Sequence, residues 1–214
     1  MLGLVTIVLV ACAEPHGPQQ SASAVTPGST RTAVDPARIK RIRSDMPIGY
    51  EVADAVGVAS PADVWGFRTG WTAEPPQCAA LVDPVAGGSA LGLSGSGDGG
   101  LLYVVVVSGA ATWDPALTAQ CARWRMAYGR SSATAELVPA PHIDGADTVG
   151  VSATIRTVVE SGTETETRAQ TFSCYLGRHV AFVTLVVDPA SPHPPLPPQA
   201  AADLLVKSVA ALRG

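Results

Sequence analysis

The sequence predicts an α+β fold: a mainly antiparallel, twisted sheet with helices packed on it, in a single domain. Three observations carry this expectation. Val149 to Glu160 alternates apolar residues with small or polar ones at period two, the pattern of a strand with one buried face. Gly97-Asp98-Gly99-Gly100 and Gly177-Arg178 each separate two strand-like runs, so strands are joined by hairpins rather than by helical crossovers. Helix starts at Asp35-Pro36 and Asp114-Pro115, with an amphipathic C-terminal stretch, place helices before, within and after the strands.

Taken in order, the chain opens on a short apolar run, Leu2 to Val10, that is too short to span a bilayer as a helix. It ends in Leu9-Val10-Ala11-Cys12, a small residue followed at once by a cysteine, which is the lipobox of a bacterial lipoprotein signal. Residues 1–11 are therefore expected to be a signal peptide and Cys12 the site of lipid attachment. No Lys or Arg precedes the run, so the α-amino group alone supplies the positive charge usual there. From Cys12 to Val34 the composition is Pro, Gly, Ser, Gln, Thr and Ala, and it reads as a tether. About 20 flexible residues reach on the order of 25 Å, enough to stand a domain off a membrane.

The globular domain is expected over residues 35–214. Asp35 caps a helix with Pro36 at its first position; Ile39, Ile42 and Met46 recur along it, and it must stop before Pro47. Arg38, Lys40, Arg41 and Arg43 form the main basic run, a solvated helix face or a contact for anionic lipid headgroups. Gly49 to Val58 holds a short strand or two. Ser60-Pro61-Ala62-Asp63 opens a short helix with a capping-box start, and Trp65, Phe67 and Trp71 cluster behind it. Pro75-Pro76-Gln77-Cys78 opens another that ends near Asp83-Pro84. Ser89 to Ser96 and Leu101 to Val107 form a hairpin, and the β-branched run Tyr103 to Val107 should lie inside the sheet. The helix after Asp114-Pro115 carries Leu117 and Cys121. Strands follow at Trp124 to Tyr128, Ala135 to Val138 and Val149 to Glu160, and then at Thr163 to Leu176 and His179 to Val187. After a Pro-rich segment, a last helix from about Gln199 to Leu212 lines up Leu204, Leu205, Ser208, Val209 and Leu212 on one face.

Cysteine arithmetic follows from the address. With Cys12 acylated, Cys78, Cys121 and Cys174 remain in an oxidising compartment. A Cys78–Cys121 disulfide is favoured because both sit on short helical segments with helix-start residues just before them. Such a bridge is worth about 4 kcal/mol in the chain-entropy account. Cys174, between Phe172 and Tyr175 in a strand-like run, then reads as a buried free thiol.

Motifs that would carry chemistry are weak. Gly95-Ser96-Gly97-Asp98-Gly99-Gly100 has the letters G-x-G-x-x-G, but a strand follows where the dinucleotide fingerprint needs a helix, so it reads as a hairpin turn. There is no G-x-S-x-G elbow, no H-E-x-x-H, no paired-Cys zinc spacing and no P-loop, so no catalytic residue, cofactor or metal ligand is assigned. His16, His142, His179 and His193 do not group, and His142 near Asp144 and Asp147 reads as a loop that hydrogen-bonds itself. Glu160, Glu164 and Glu166 read as a solvated acidic edge. The tryptophans either line an apolar cleft or belong to the core. A net charge of −4 with dispersed basic residues argues against nucleic acid as a partner.

Several stretches carry a resemblance: Asp45-Met-Pro-Ile-Gly-Tyr-Glu-Val52, Trp71-Thr-Ala-Glu-Pro-Pro-Gln-Cys78, Ala140-Pro-His-Ile-Asp-Gly-Ala146, Glu160-Ser-Gly-Thr-Glu-Thr165 and the ending from Ala202 to Gly214. Together, over roughly Asp35 to Gly214, they resemble a family of mycobacterial lipoproteins defined only by a domain of unknown function. The resemblance implies a cell-envelope location and brings no catalytic residues. More distantly, the Cys78/Cys121 placement and the element order are similar to the extracellular sensor domain of a mycobacterial serine/threonine kinase, which has two disulfides and a cleft suggestive of ligand binding. The chain departs from that pattern: Cys174 has no partner cysteine near Ser191, and the 214 residues contain no kinase or membrane-spanning segment. The functional expectation is a lipid-anchored envelope domain without enzymatic activity that binds a small apolar or lipid ligand, or an envelope protein. The alternative is an envelope hydrolase whose active site is assembled from distant residues.

Overall fold

The structure, a computed structural model, describes residues 33–111, 113–189 and 191–214. The expected signal peptide 1–11, Cys12 and the tether up to residue 32, His16 included, lie outside the described residues.

The fold is a single antiparallel nine-stranded sheet with a few helices, an α+β architecture. In chain order the strands are β1 (Glu51–Asp54), β2 (Thr72–Glu74), β3 (Ser89–Gly97), β4 (Gly100–Ser108), β5 (Arg123–Tyr128), β6 (Ser131–Val138), β7 (Asp147–Val158), β8 (Glu164–Tyr175) and β9 (His179–Val187). Their order across the sheet is β1-β3-β4-β9-β8-β7-β6-β5-β2, every neighbour antiparallel. Strands β5 to β9 form a meander, and the β3–β4 hairpin adds to its β9 side. The short strands β1 and β2 close the two edges, which limits the unpaired backbone offered to another chain.

Both faces of this sheet carry a core. On one face the helix α3 (Pro198–Arg213) and the 3₁₀ helix η1 (Pro36–Asp45) cover β3, β4, β9 and β8. Leu204, Leu205, Ser208, Val209 and Leu212 all point into that layer, and the Ser208 hydroxyl is satisfied by donating to the Leu204 carbonyl at 2.6 Å. The backbone N–H of Asp35 donates to the Leu212 carbonyl at 3.0 Å, so the domain begins beside the end of α3. On the other face, α1 (Pro61–Val64), the 3₁₀ helix η2 (Pro76–Leu81) and the segments around them cover β4 through β9 with Trp65, Phe67, Leu81 and Val82. The capping box is complete: the Ser60 hydroxyl accepts from Asp63 N–H, and the Asp63 carboxylate accepts from Ser60 N–H. The helix α2 (Ala116–Gln120) is short and buries none of its own residues.

Three local expectations are refined. The first helix is wound as 3₁₀ over ten residues, a long run for that geometry. Ile39 and Ile42 stand three apart, so a helix of three residues per turn stacks both on the buried side. Cys121 is not inside α2 but at its C-cap. The acidic edge is the outer end of the β7–β8 hairpin: Glu164 and Glu166 lie on β8 before its pairing with β9 begins at Arg168, and Glu166 meets Arg156 and Arg168, each at 3.4 Å. Period-two reading finds the strand but not its rank in the sheet, because neighbours come from sequence-distant segments.

The glycines of Gly95-Ser96-Gly97-Asp98-Gly99-Gly100 have a packing role. Gly97 pairs with Gly100 across the Asp98-Gly99 turn. A Cβ on Gly97 would strike the Tyr50 ring, and one on Gly99 would come within 2.7 Å of Leu196 Cγ. They make room for a tyrosine and for the Pro-rich segment, whose Leu196 N–H donates to the Gly99 carbonyl at 2.9 Å.

Candidate functional site

The residues singled out from sequence separate into structural ones and unused ones. Cys78 and Cys121 are joined by a disulfide, with Cα atoms 5.6 Å apart, and both are fully buried. Cys174 lies on the opposite face of the sheet, in the α3 layer, as a free and fully buried thiol. Burial pushes its pKa from 9.0 up to about 12, against a smaller lowering by Arg213. At pH 8 the folded thiol is ionised on the order of a thousandfold less than an ordinary one, so alkylation of the native protein is expected to be very slow. In urea it should become fast; stoichiometric labelling of the native protein within minutes, read by mass spectrometry, would sink this. The same shift makes stability fall as pH rises from 9 towards 12. There the unfolded thiol loses its proton while the folded one keeps it.

Trp65 and Trp124 are core residues, while Trp71 and Trp113 are half-buried against that core, Trp71 edge-to-face with Phe67 and Trp113 tilted on Tyr175. None of them forms an aromatic wall in three surface concavities among the described residues: the lining at β2, β5, β6 and β7 holds only Trp124, whose ring is buried, and the one beside the Pro-rich segment holds none. His142 bonds Asp144 at 3.0 Å on an exposed loop, His193 lies 3.8 Å from Asp98, and His179 starts β9. Most of the basic run of η1 is engaged. Arg38 pairs with Asp35, Lys40 and Arg43 meet Asp54, and the Arg43 guanidinium donates to the Val52 carbonyl at 2.6 Å. Lys40 also holds the Asp54 carboxyl below the usual range. Arg41 stays exposed. Among the described residues no group of His, Cys, Asp or Glu is placed to hold a metal ion, and no helix is long and apolar enough to cross a membrane.

What sequence reading missed lies on the sheet itself. Strands β5, β6 and β7 bury Trp124, Met126, Ala133, Ala135, Val151, Ala153 and Ile155 towards η2 and α1. Their alternate residues therefore face the other way, the side where α3 covers only β3, β4, β9 and β8. That half of the face has no helix over it and is mostly polar. One cross-strand row runs Glu74, Arg125, Thr134, Thr154, Arg168 from β2 to β8. The next runs Arg123, Glu136, Ser152, Gln170 and ends at Leu185, under the α3 layer. On the other side run Thr72, Ala127, Ser132, Arg156 and Glu166. The members of these rows on β2, β5, β6 and β7 line a concavity of about 650 Å³.

Arg123 and Arg125 are the chemical centre of this groove. Glu136 stands opposite Arg123 in the register, and Glu74 opposite Arg125. Neither pair closes into an ion pair, and neither guanidinium has a hydrogen-bond partner among the described residues. Arg156, by contrast, is held by Glu166. Two unoccupied planar donor forks beside half-buried threonine and serine hydroxyls can receive an oxyanion and several hydroxyl groups. The signal was present as Arg123-Trp-Arg-Met and Ser132-Ala-Thr-Ala-Glu136, two short alternations. Alternation among Ser, Ala and Thr has little hydrophobic contrast, so β6 was expected only from Ala135 and β5 only from Trp124.

The architecture is that of an antiparallel α+β domain that leaves half of one sheet face bare as a polar groove. The chain belongs to the family described as a domain of unknown function, DUF5642, whose profile matches residues 35–213. Among solved structures it is similar to an uncharacterised protein of Mycobacterium smegmatis, an Rv0999 ortholog. The two share 22% identity at a TM-score of 0.63, covering 85% of this chain and 98% of that one. At that identity the likeness speaks for the fold. Comparison with curated proteins found no match. Neither the family nor the structural neighbour gives a sign of catalytic activity.

Proposed function

We propose that this protein is a non-enzymatic binding domain of the bacterial cell envelope, anchored to the membrane through lipid on Cys12, with the bare face of β2, β5, β6 and β7 as its binding site. The observation that carries the binding role is the pair Arg123 and Arg125. Two guanidiniums without protein partners stand in a concavity that the fold leaves open while it covers the neighbouring strands with α3. Ligand binding in a cleft is in keeping with the distant resemblance to a kinase sensor domain. The anchoring rests on the Leu9-Val10-Ala11-Cys12 signal. A polar ligand fits this groove better than an apolar one, since its lining is mostly Arg, Glu, Ser and Thr. For the hydrolase reading, no imidazole among His142, His179 and His193 bonds a serine hydroxyl among the described residues.

The test is mass spectrometry of the full-length protein purified from its own membrane. An acylated N-terminal peptide starting at Cys12 is the expected result, and an unacylated one would overturn the anchor. A native spectrum should show a small co-purifying ligand that is lost from Thr134→Trp, a change that fills the groove, with thermal melting confirming that the variant folds. A ligand kept equally by both proteins would place binding elsewhere, and none in either would remove the binding role.

A further inference from the structure

Resting on that reading of the groove, we infer that its ligand is an acidic carbohydrate: a polyhydroxylated body carrying one carboxylate or phosphate. The oxyanion is received by Arg123 and Arg125. They are two residues apart on one strand, about 7 Å along it, so both long side chains can converge on the same group. The polyol follows from what surrounds them. Thr134, Ser152 and Thr154 form a half-buried patch of hydroxyls, each able to donate and to accept. Glu74 and Glu136, acceptors only, flank the arginines without neutralising them. A bare anion would gain from the guanidiniums but be repelled by two carboxylates. A sugar hydroxyl instead donates to them, so the mixed set fits a ligand that offers an oxyanion and several O–H groups together. No aromatic ring face lies in the lining, so stacking contributes nothing and affinity depends mainly on charge-assisted hydrogen bonds. The groove is open to water, which makes that affinity salt-dependent.

The experiment titrates the full-length protein in detergent with glucuronate, glucose 6-phosphate, methyl glucoside and inorganic phosphate, followed by ligand-observed NMR at low and high salt. Glucuronate or glucose 6-phosphate is expected to bind at least about tenfold more tightly than methyl glucoside. Which of the two binds better distinguishes a carboxylate ligand from a phosphate one. Arg123→Gln/Arg125→Gln should remove that tenfold preference and leave weak methyl glucoside binding unchanged. Thr134→Val/Ser152→Ala should weaken the acidic sugars about fivefold and leave inorganic phosphate unaffected. Equal binding of methyl glucoside would overturn the acidic part, and phosphate binding as tightly as glucose 6-phosphate would overturn the sugar part. If none of the four binds while a co-purifying ligand is lost from Thr134→Trp, this inference fails and the binding role stands. If that ligand is missing as well, both fall.

Discussion

Cys78→Ala/Cys121→Ala is expected to lower the stability of the domain by about 4 kcal/mol, the chain-entropy value for a cross-link spanning 43 residues. For a domain of this size that is a fall in Tm of roughly 10 °C. The loop so closed contains β3, β4 and α2, and the bridge ties the end of α2 to η2 beside the half-buried Leu117. That helix buries no residue of its own and touches η2 chiefly through Cys121 and a Gln77–Gln120 contact at 3.4 Å. Without the cross-link, α2 is expected to fray first, so amide exchange over Ala116–Gln120 should accelerate more than exchange in β8. Urea titration of wild type and variant measures the global loss. A difference under about 1 kcal/mol would mean that the bridge only decorates a fold already held by its cores.

Phe67→Ala is expected to have an effect of the same size, about 3–5 kcal/mol, by the cavity mechanism. Phe67 is fully buried although it lies on a connecting segment, not on a strand or helix. Its N–H donates to the Ala62 carbonyl at 2.9 Å, which pins the segment to α1, and its ring meets Trp71 edge-to-face at 6.3 Å. Removing it opens a void between α1, Trp71 and the sheet that backbone held by the capping box cannot close. Ile48→Ser is the control, because Ile48 is fully exposed and its replacement should move stability by no more than about 0.5 kcal/mol. Equal melting of the two variants would show that the aromatic cluster is not part of the cooperative core.

The long elements were legible because their patterns are local. Strand β7 shows period two over a dozen residues, α3 places five residues on one face, and the Asp98-Gly99 turn fixes the β3–β4 register within a few residues. The groove was not legible, for two physical reasons. Strand β5 is short, and β6 opens on Ser131 to Ala135, a run of Ser, Ala and Thr whose alternation has little hydrophobic contrast. A polar strand face also reads as ordinary solvated surface until its neighbours are known.

The cysteines show the same division. Counting leaves three pairings among Cys78, Cys121 and Cys174, and helix starts before two of them favour one. The sheet then separates them, with Cys174 on the α3 side and the bridged pair on the other, so no thiol can cross. By itself the sequence determined the antiparallel α+β class, the faces of its long strands and last helix, and the expectation of a lipid anchor at Cys12. Those rest on periodicity and on contiguous signals. Only the tertiary structure decided which half of the sheet α3 leaves bare and which arginines stand there without partners. Both depend on strands and helices far apart in the chain being brought side by side.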